Sequence, residues 1–286
     1  MQNKKYDLFS NLQTKGVVVD DHQKIKIINR MNEMLSYQPK VGVLGKTGAG
    51  KSSLCNALFG MDVAPISDVR SCTRDIQNVF VDIGGNKSII LVDVPGVGEN
   101  KAYDVEYERL YKTLLPELDI LLWVIKADDR ALSIDEEFFS TIVKPYLSQD
   151  RPVIIVLNQV DKIEPFSEWD YEYNLPSTKQ LENILHKVSD TSVFFNLQPS
   201  KIIPVSAYKS YNLVQLVDEI IFSLPNDKKI NLLNEVREEN ISQRSKDNAL
   251  KSFLESIEIW CQMHIPNYFK LKAFVRKVIE IIQIKV

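Results

Sequence analysis

Cysteine is scarce in this chain: Cys55, Cys72 and Cys261 are the only three in 286 residues, and no two form a C-x-x-C pair. An odd, scattered set excludes a disulfide framework or a zinc knuckle and fits a reducing compartment, so a cytoplasmic location is expected. With 10 glycines and 12 prolines, collagen-like and low-complexity classes are excluded. Long apolar runs are missing as well. The longest, 120–125 and 153–157, fall far short of the roughly 20 residues that span a bilayer. Residues 1–6 lead into polar sequence and not into the apolar core of a secretion signal. Nor does charge of one sign dominate: 35 basic against 38 acidic residues leave −3, so no bulk positive field advertises nucleic acid, and DNA is not an expected partner. What is present is core material, 44% hydrophobic against 26% charged, the balance of a globular chain.

From residue 40 onward, short β-branched runs alternate with longer segments of helical period, the pattern of a mostly parallel sheet covered by helices. Six strands are expected, at 41–44, 79–83, 88–92, 120–125, 153–157 and 202–205. Only four residues, with Gly84-Gly85-Asn86 among them, separate the second from the third. That gap is too short for a crossover, so these two should form a hairpin, with one antiparallel strand at the sheet edge. Helices are expected at 52–59, 105–115, 134–147, 178–188 and 213–222, the third opened by a capping box of Ser133 and Glu136. Ile25, Ile28, Met31, Met34 and Leu35 recur at helical spacing ahead of the sheet, which predicts a lead helix over 22–36. After Leu224-Pro225-Asn226 the sequence becomes charged and helical. The expected organisation is therefore a helical lead over 1–39, an α/β domain over 40–225 and a helical tail over 226–286.

The chemistry concentrates at the carboxyl ends of the expected strands. Gly45-Lys46-Thr47-Gly48-Ala49-Gly50-Lys51-Ser52 matches GxxxxGK[ST] after a strand and before a helix. That placement lets main-chain N–H groups wrap a phosphate chain at a helix N-terminus. Lys51 would bridge the terminal phosphates and the Ser52 hydroxyl would ligate Mg²⁺, while Ser53, kept in the binding set, also suits plain helix surface. Asp93-Val94-Pro95-Gly96 closes the third strand. Its carboxylate can hold the magnesium shell through water, and Gly96 lets a main-chain N–H approach a γ-phosphate. Asn158-Gln159-Val160-Asp161 and Ser206-Ala207 follow the fifth and sixth strands, on the edge where open α/β sheets bind ligands. Asp161 can accept from both N1–H and the exocyclic amine of guanine, whereas adenine offers neither donor there.

In order, GKTGAGKS, DVPG, NQVD and SA span residues 45–207, and with them the chain resembles the Era-like P-loop GTPases of the translation-factor-related class. The longer strings GKTGAGKSSLCNALFG and DVPGVGE look most like a bacterial, often prophage-borne branch labelled ribosome-binding GTPases. The resemblance implies a Ras-like domain with GTP or GDP and Mg²⁺ as ligands. It places the switch threonine at Thr73, within Ser71-Cys72-Thr73-Arg74-Asp75, as magnesium ligand and γ-phosphate contact, and makes 61–76 and 95–105 the two switches.

Two positions depart from the pattern. Relatives carry lysine where this chain has Gln159, so guanine selectivity is expected with weaker affinity. Val97 stands where Ras-like enzymes place the glutamine that orients water, so hydrolysis should be slow. Gly48 removes the asparagine of potassium-assisted relatives. Thr47 resembles septin-like and Toc-like proteins, in which assembly across the nucleotide face supplies missing groups, so a homodimer of that kind is an expected partner. Arg70 and Arg74 have solvated switch residues as their ordinary reading. Cys55 and Cys72 read as packing residues, and Asp128-Asp129-Arg130 as a solvated loop near the nucleotide edge. In the last 25 residues Lys270, Lys272, Arg276, Lys277 and Lys285 face one acid, Glu280, beside an apolar stripe that includes Leu271, Phe274, Val278 and Ile282. Helix packing, an anionic membrane surface and ribosomal or other RNA are the three readings of this basic amphipathic segment.

Overall fold

The computed structural model describes residues 20–46, 48–60, 89–94, 112, 115–129, 133–147 and 151–266. They fall into two compact units, each built from segments distant in sequence: one takes the described residues within 1–37, 225–234 and 243–286, the other those within 38–224 and 235–242.

Among the described residues the larger unit holds a sheet of five strands: β1 (Val41–Lys46), β2 (Ile89–Val94), β3 (Ile120–Lys126), β4 (Val153–Asn158) and β5 (Ile202–Pro204), in the order β2-β1-β3-β4-β5. Every pairing is parallel. This corrects the expected six strands with an antiparallel edge. Each of the five is separated from the next by a connection long enough for a crossover, which returns the chain in the same direction. The strand expected at 79–83 lies outside the described residues. The five observed strands sit within two residues of the sequence-derived boundaries. In β1, β3 and β4 nearly every residue is buried rather than every second one, because helices cover both faces of a parallel sheet.

Helix α1 (Asp21–Leu35) belongs to the smaller unit, and α2 (Lys51–Phe59) leaves β1 through the phosphate loop. The helix expected over 134–147 is observed in three parts: α3 (Ser133–Phe138), a π-helical turn (Phe139–Val143) and α4 (Lys144–Leu147). Pro145 accounts for the interruption, because its ring cannot coexist with a regular α-helical carbonyl four residues earlier. Helix α5 (Thr178–Phe195) runs seven residues past its expected end, since nothing stops it before Asn196 adopts a left-handed cap at φ 50°. Helix α6 (Leu213–Ser223) completes the set. Under the sheet, Trp123 stacks on Phe138 at 5.5 Å, and Phe139 meets Phe195 edge-on at 5.1 Å.

The smaller unit joins α1 to α7 (Lys229–Leu233) and α8 (Gln243–His264). Ile27, Met31 and Met34 of α1 are buried, as are Ala249, Phe253, Ile257 and Cys261 of α8, each set spaced as one helical stripe. Asn231 donates from its side-chain amide to the carbonyls of Met34 and Tyr37 at 2.9 and 2.8 Å, holding the end of α1. No helix of the described residues is long and apolar enough to cross a membrane.

Asp119 locks the entrance of the sheet. Its buried carboxylate accepts from Lys40 N–H at 2.7 Å while its own N–H donates to the Lys40 carbonyl at 2.8 Å. Asp119→Ala strands a donor at the head of β1 and is expected to cost about 1–3 kcal/mol, read as an earlier urea midpoint with an unchanged far-ultraviolet spectrum.

Candidate functional site

β1 stands between β2 and β3, so the chain leaves it for one neighbour and later returns on the other side, opening a crevice at its carboxyl end. The loop filling that point needs glycine twice for steric reasons. A Cβ on Gly45 would lie 2.2 Å from the Val124 carbonyl oxygen, and one on Gly50 would lie 2.4 Å from the Asn158 amide nitrogen; their φ values are +150° and +88°. Gly50 caps α2 without a side-chain hydrogen bond, which leaves the opening turn of the helix to an anion. Lys51 is buried, and its ammonium donates to the carbonyls of Gly45 and Lys46 at 2.8 and 2.9 Å. A phosphate would offer the ammonium a charged acceptor in place of neutral ones, and charge-assisted bonds of that kind are roughly twice as strong.

Two side chains at the end of β4, Asn158 in the strand and Gln159 just after it, hold the loop from outside. Asn158, at 1% exposure, donates to the Ala49 carbonyl at 2.9 Å and accepts from Ala207 N–H at 3.0 Å, tying the phosphate loop to the turn after β5. Gln159 donates to the Gly48 carbonyl at 2.9 Å and accepts from the Lys162 ammonium at 2.7 Å. Asp161 follows on a short turn whose main-chain carbonyls, Asp161 and Ile163, accept from the buried Gln180 amide at 3.4 and 2.8 Å. One carboxylate oxygen of Asp161 is shielded from solvent yet has no hydrogen-bond partner among the described residues. Such an acceptor carries a desolvation cost that a bound donor removes. Ser206 is fully buried, its hydroxyl accepting from Lys209 N–H at 3.1 Å.

Lys46, Gly48, Ala49, Val124, Ile125, Lys126 and Asp129 line a cleft beside the loop. The Lys46 ammonium lies 3.7 Å from Asp129, and Lys126 lies 3.1 Å from Asp128. The solvated loop read from the sequence thus borders the phosphate loop. The structure brings together Gly45, Lys46, Gly48, Ala49, Gly50, Lys51 and Ser52 with Asn158, Gln159, Asp161, Ser206 and Ala207.

 Gly50 itself sits where the loop turns into α2, and Ser53, one residue beyond Ser52, is exposed on the helix. Asp93, one residue before the end of β2, pairs in register with Gly45, which puts its main chain level with the start of the loop. Thr47, Thr73 and Gly96 lie outside the described residues, as do Val97, Arg70, Arg74, Cys72, Arg130 and the basic segment after residue 266. Sequence reasoning missed Lys162 and Gln180. The first could have been found from the neutral residue at 159 with a cation three positions on, whereas the second had no local signal.

Comparison with known proteins identifies the family. Residues 40–159 match the family described as 50S ribosome-binding GTPase. Over 203 residues the chain is 41% identical to the uncharacterized protein YfjP of Escherichia coli K12, covering 71% of this chain and 68% of that one. It is 36% identical over 233 residues to YkfA of the same organism, covering 81% and 78%. The chain belongs to the Era-like P-loop GTPases. GTPase Era of Aquifex aeolicus is 32% identical over 188 residues, 65% of this chain and 56% of that one. As a member of this family the protein is a GTP-binding protein with the α/β P-loop fold.

The described cysteines of this GTPase are packing residues. Cys55 and Cys261 are fully buried. Burial pushes the Cys55 thiol up to about 12 against the opposing pull of Lys51, and pushes Cys261 up to about 11 with help from Glu258. Both therefore stay protonated where an unfolded thiol, near 9, has begun to ionise. The stability that these thiols contribute is intact below pH 9 and is lost as pH rises toward 12. Alkylation of the folded protein at pH 8 is expected to spare Cys55 and Cys261, and both should react once guanidinium unfolds the chain.

Proposed function

We propose that this protein is a guanine-nucleotide switch that binds Mg²⁺–GTP at the loop 45–52 and hydrolyses it slowly to GDP and phosphate. The observation that carries this reading is the shielded, unpartnered oxygen of Asp161, on the same sheet edge as a helix N-terminus suited to phosphate. Guanine supplies two donors to that carboxylate and adenine supplies none there. Gly45, Lys46, Thr47, Gly48, Ala49, Gly50, Lys51, Ser52 and Ser53 form the phosphate side of the site. Asn158, Gln159, Asp161, Ser206 and Ala207 form the base side.

Ser52, Asp93 and Thr73 are hard oxygen donors of the kind that suits Mg²⁺, and they would hold the ion. When bound, the ion neutralises charge on the β- and γ-phosphates. Lys51 exchanges its two carbonyl acceptors for phosphate oxygens, and the main-chain N–H groups of the loop and of Gly96 fix the γ-phosphate for attack by water. This catalysis rests on positioning and electrostatics rather than on a side-chain base. Val97 offers water no amide to orient it, which makes intrinsic turnover slow and favours acceleration by a homodimer across the nucleotide face. Loss of the γ-phosphate releases Thr73 and Gly96, so that 61–76 and 95–105 report the nucleotide state.

Val97 also favours a second reading, a GTP-loaded scaffold with negligible turnover at a ribosome or membrane surface. In either case the protein works in the cytoplasm, with the basic segment 270–285 as its contact to RNA or to an anionic membrane.

Titration with guanine and adenine nucleotides in Mg²⁺ tests the site. GTP and GDP should bind and ATP should not, and Asp161→Asn should weaken GTP by at least roughly a hundredfold; equal binding of GTP and ATP defeats the reading. Turnover per molecule should rise across a hundredfold range of protein concentration. A rate that stays flat, and near zero, supports the scaffold.

A further inference from the structure

Main-chain carbonyls of the phosphate loop are gripped from behind by side chains. Lys51 takes those of Gly45 and Lys46, Asn158 takes that of Ala49, and Gln159 takes that of Gly48. Three of these bonds start from buried side chains, whereas the Gln159 bond is exposed. In water an exposed neutral amide–carbonyl bond is weak, and a glutamine side chain loses considerable rotamer freedom in making it. Something must hold this amide in place.

Lys162 does so. Its ammonium donates to Gln159 Oε1 at 2.7 Å while Gln159 Nε2 donates to the Gly48 carbonyl at 2.9 Å. The two neighbours leave the amide one orientation, because an ammonium can only donate and a carbonyl can only accept. The pair is local: Lys162 N–H donates to the Gln159 carbonyl at 3.0 Å, closing one turn of 3₁₀ helix. Gln159 enters that turn at φ 65°, a left-handed conformation that costs a non-glycine residue energy and is kept where the surroundings require it. A cation on the carbonyl end of an amide draws electron density from its N–H₂ end and makes it a better donor.

We infer that Lys162 is a positioning residue of the nucleotide site, acting through Gln159 to hold the Gly48–Ala49 peptide of the phosphate loop. The chain thereby places a positive charge behind the loop from position 162, with the amide of residue 159 as its relay. This inference rests on the proposed guanine-nucleotide site. Because the relay grips the loop and leaves Asp161 untouched, it governs affinity and leaves the choice of base unchanged.

Binding of GDP to the full chain in Mg²⁺, followed by calorimetry, tests it in two backgrounds. Lys162→Ala should weaken GDP roughly threefold to tenfold, with the preference for guanine over adenine retained and the thermal midpoint of the nucleotide-free protein unchanged. Lys162→Arg should restore most of the loss. Combined with Gln159→Ala, Lys162→Ala should add nothing to the loss from Gln159→Ala alone. With Gln159→Lys, which carries its own charge to Gly48, Lys162→Ala should be silent. Losses that multiply in the double variant, or no loss in Lys162→Ala, overturn the relay while leaving the nucleotide site standing. A wild-type chain that binds no guanine nucleotide overturns both.

Discussion

The site depends on one buried amide. Asn158 hydrogen-bonds the phosphate loop through Ala49 and the turn after β5 through Ala207, so one side chain sets the spacing between the two halves of the crevice. The sheet makes this economical. Parallel strands deliver the ends of β1, β4 and β5 to one edge, and a short side chain at the last residue of β4 can touch both the turn after the adjacent β5 and the loop that follows β1, two strands away. A polar group this deeply buried is tolerable because both ends of its amide are satisfied.

Around that anchor the loop is shaped from outside. When a peptide carbonyl is held by a side chain behind the loop, its main-chain direction is fixed before any ligand arrives. Preorganisation of this kind lowers the ordering cost of binding. Lys51 is the exception in kind, since its carbonyl partners occupy the ammonium that a phosphate would take over. The cleft beside it adds Lys46 and Lys126 with their acidic partners Asp129 and Asp128, a balanced set of charges rather than an open basic patch.

Much of the strand layout was legible because the strands are buried on both faces and therefore read as uninterrupted apolar runs, as in Ile120–Lys126 and Val153–Asn158. The motifs could be placed because each follows such a run. What escaped was tertiary. Pro145 stood inside a helical period without revealing that the turn before it would widen. Gln180 carried no local signal because its partners, Asp161 and Ile163, lie on a turn 17–19 residues earlier. The partnership of Gln159 with Lys162 left a trace, a neutral residue with a cation three positions on, but the left-handed conformation in which Gln159 enters the turn did not.

The short stretch from Glu235 to Ser242 crosses from one unit to the other. It separates α7 from α8, yet it is counted with the sheet. There Arg237 N–H donates to the Leu58 carbonyl at 2.8 Å and the Asn240 side chain to that of Ala57 at 2.7 Å, both in the final turn of α2. The helix that opens at the phosphate loop is therefore finished by a strap encoded some 180 positions downstream. Trimming the gene after Leu224 would remove both donors and hand the Ala57 and Leu58 carbonyls, at the far end of α2, to water.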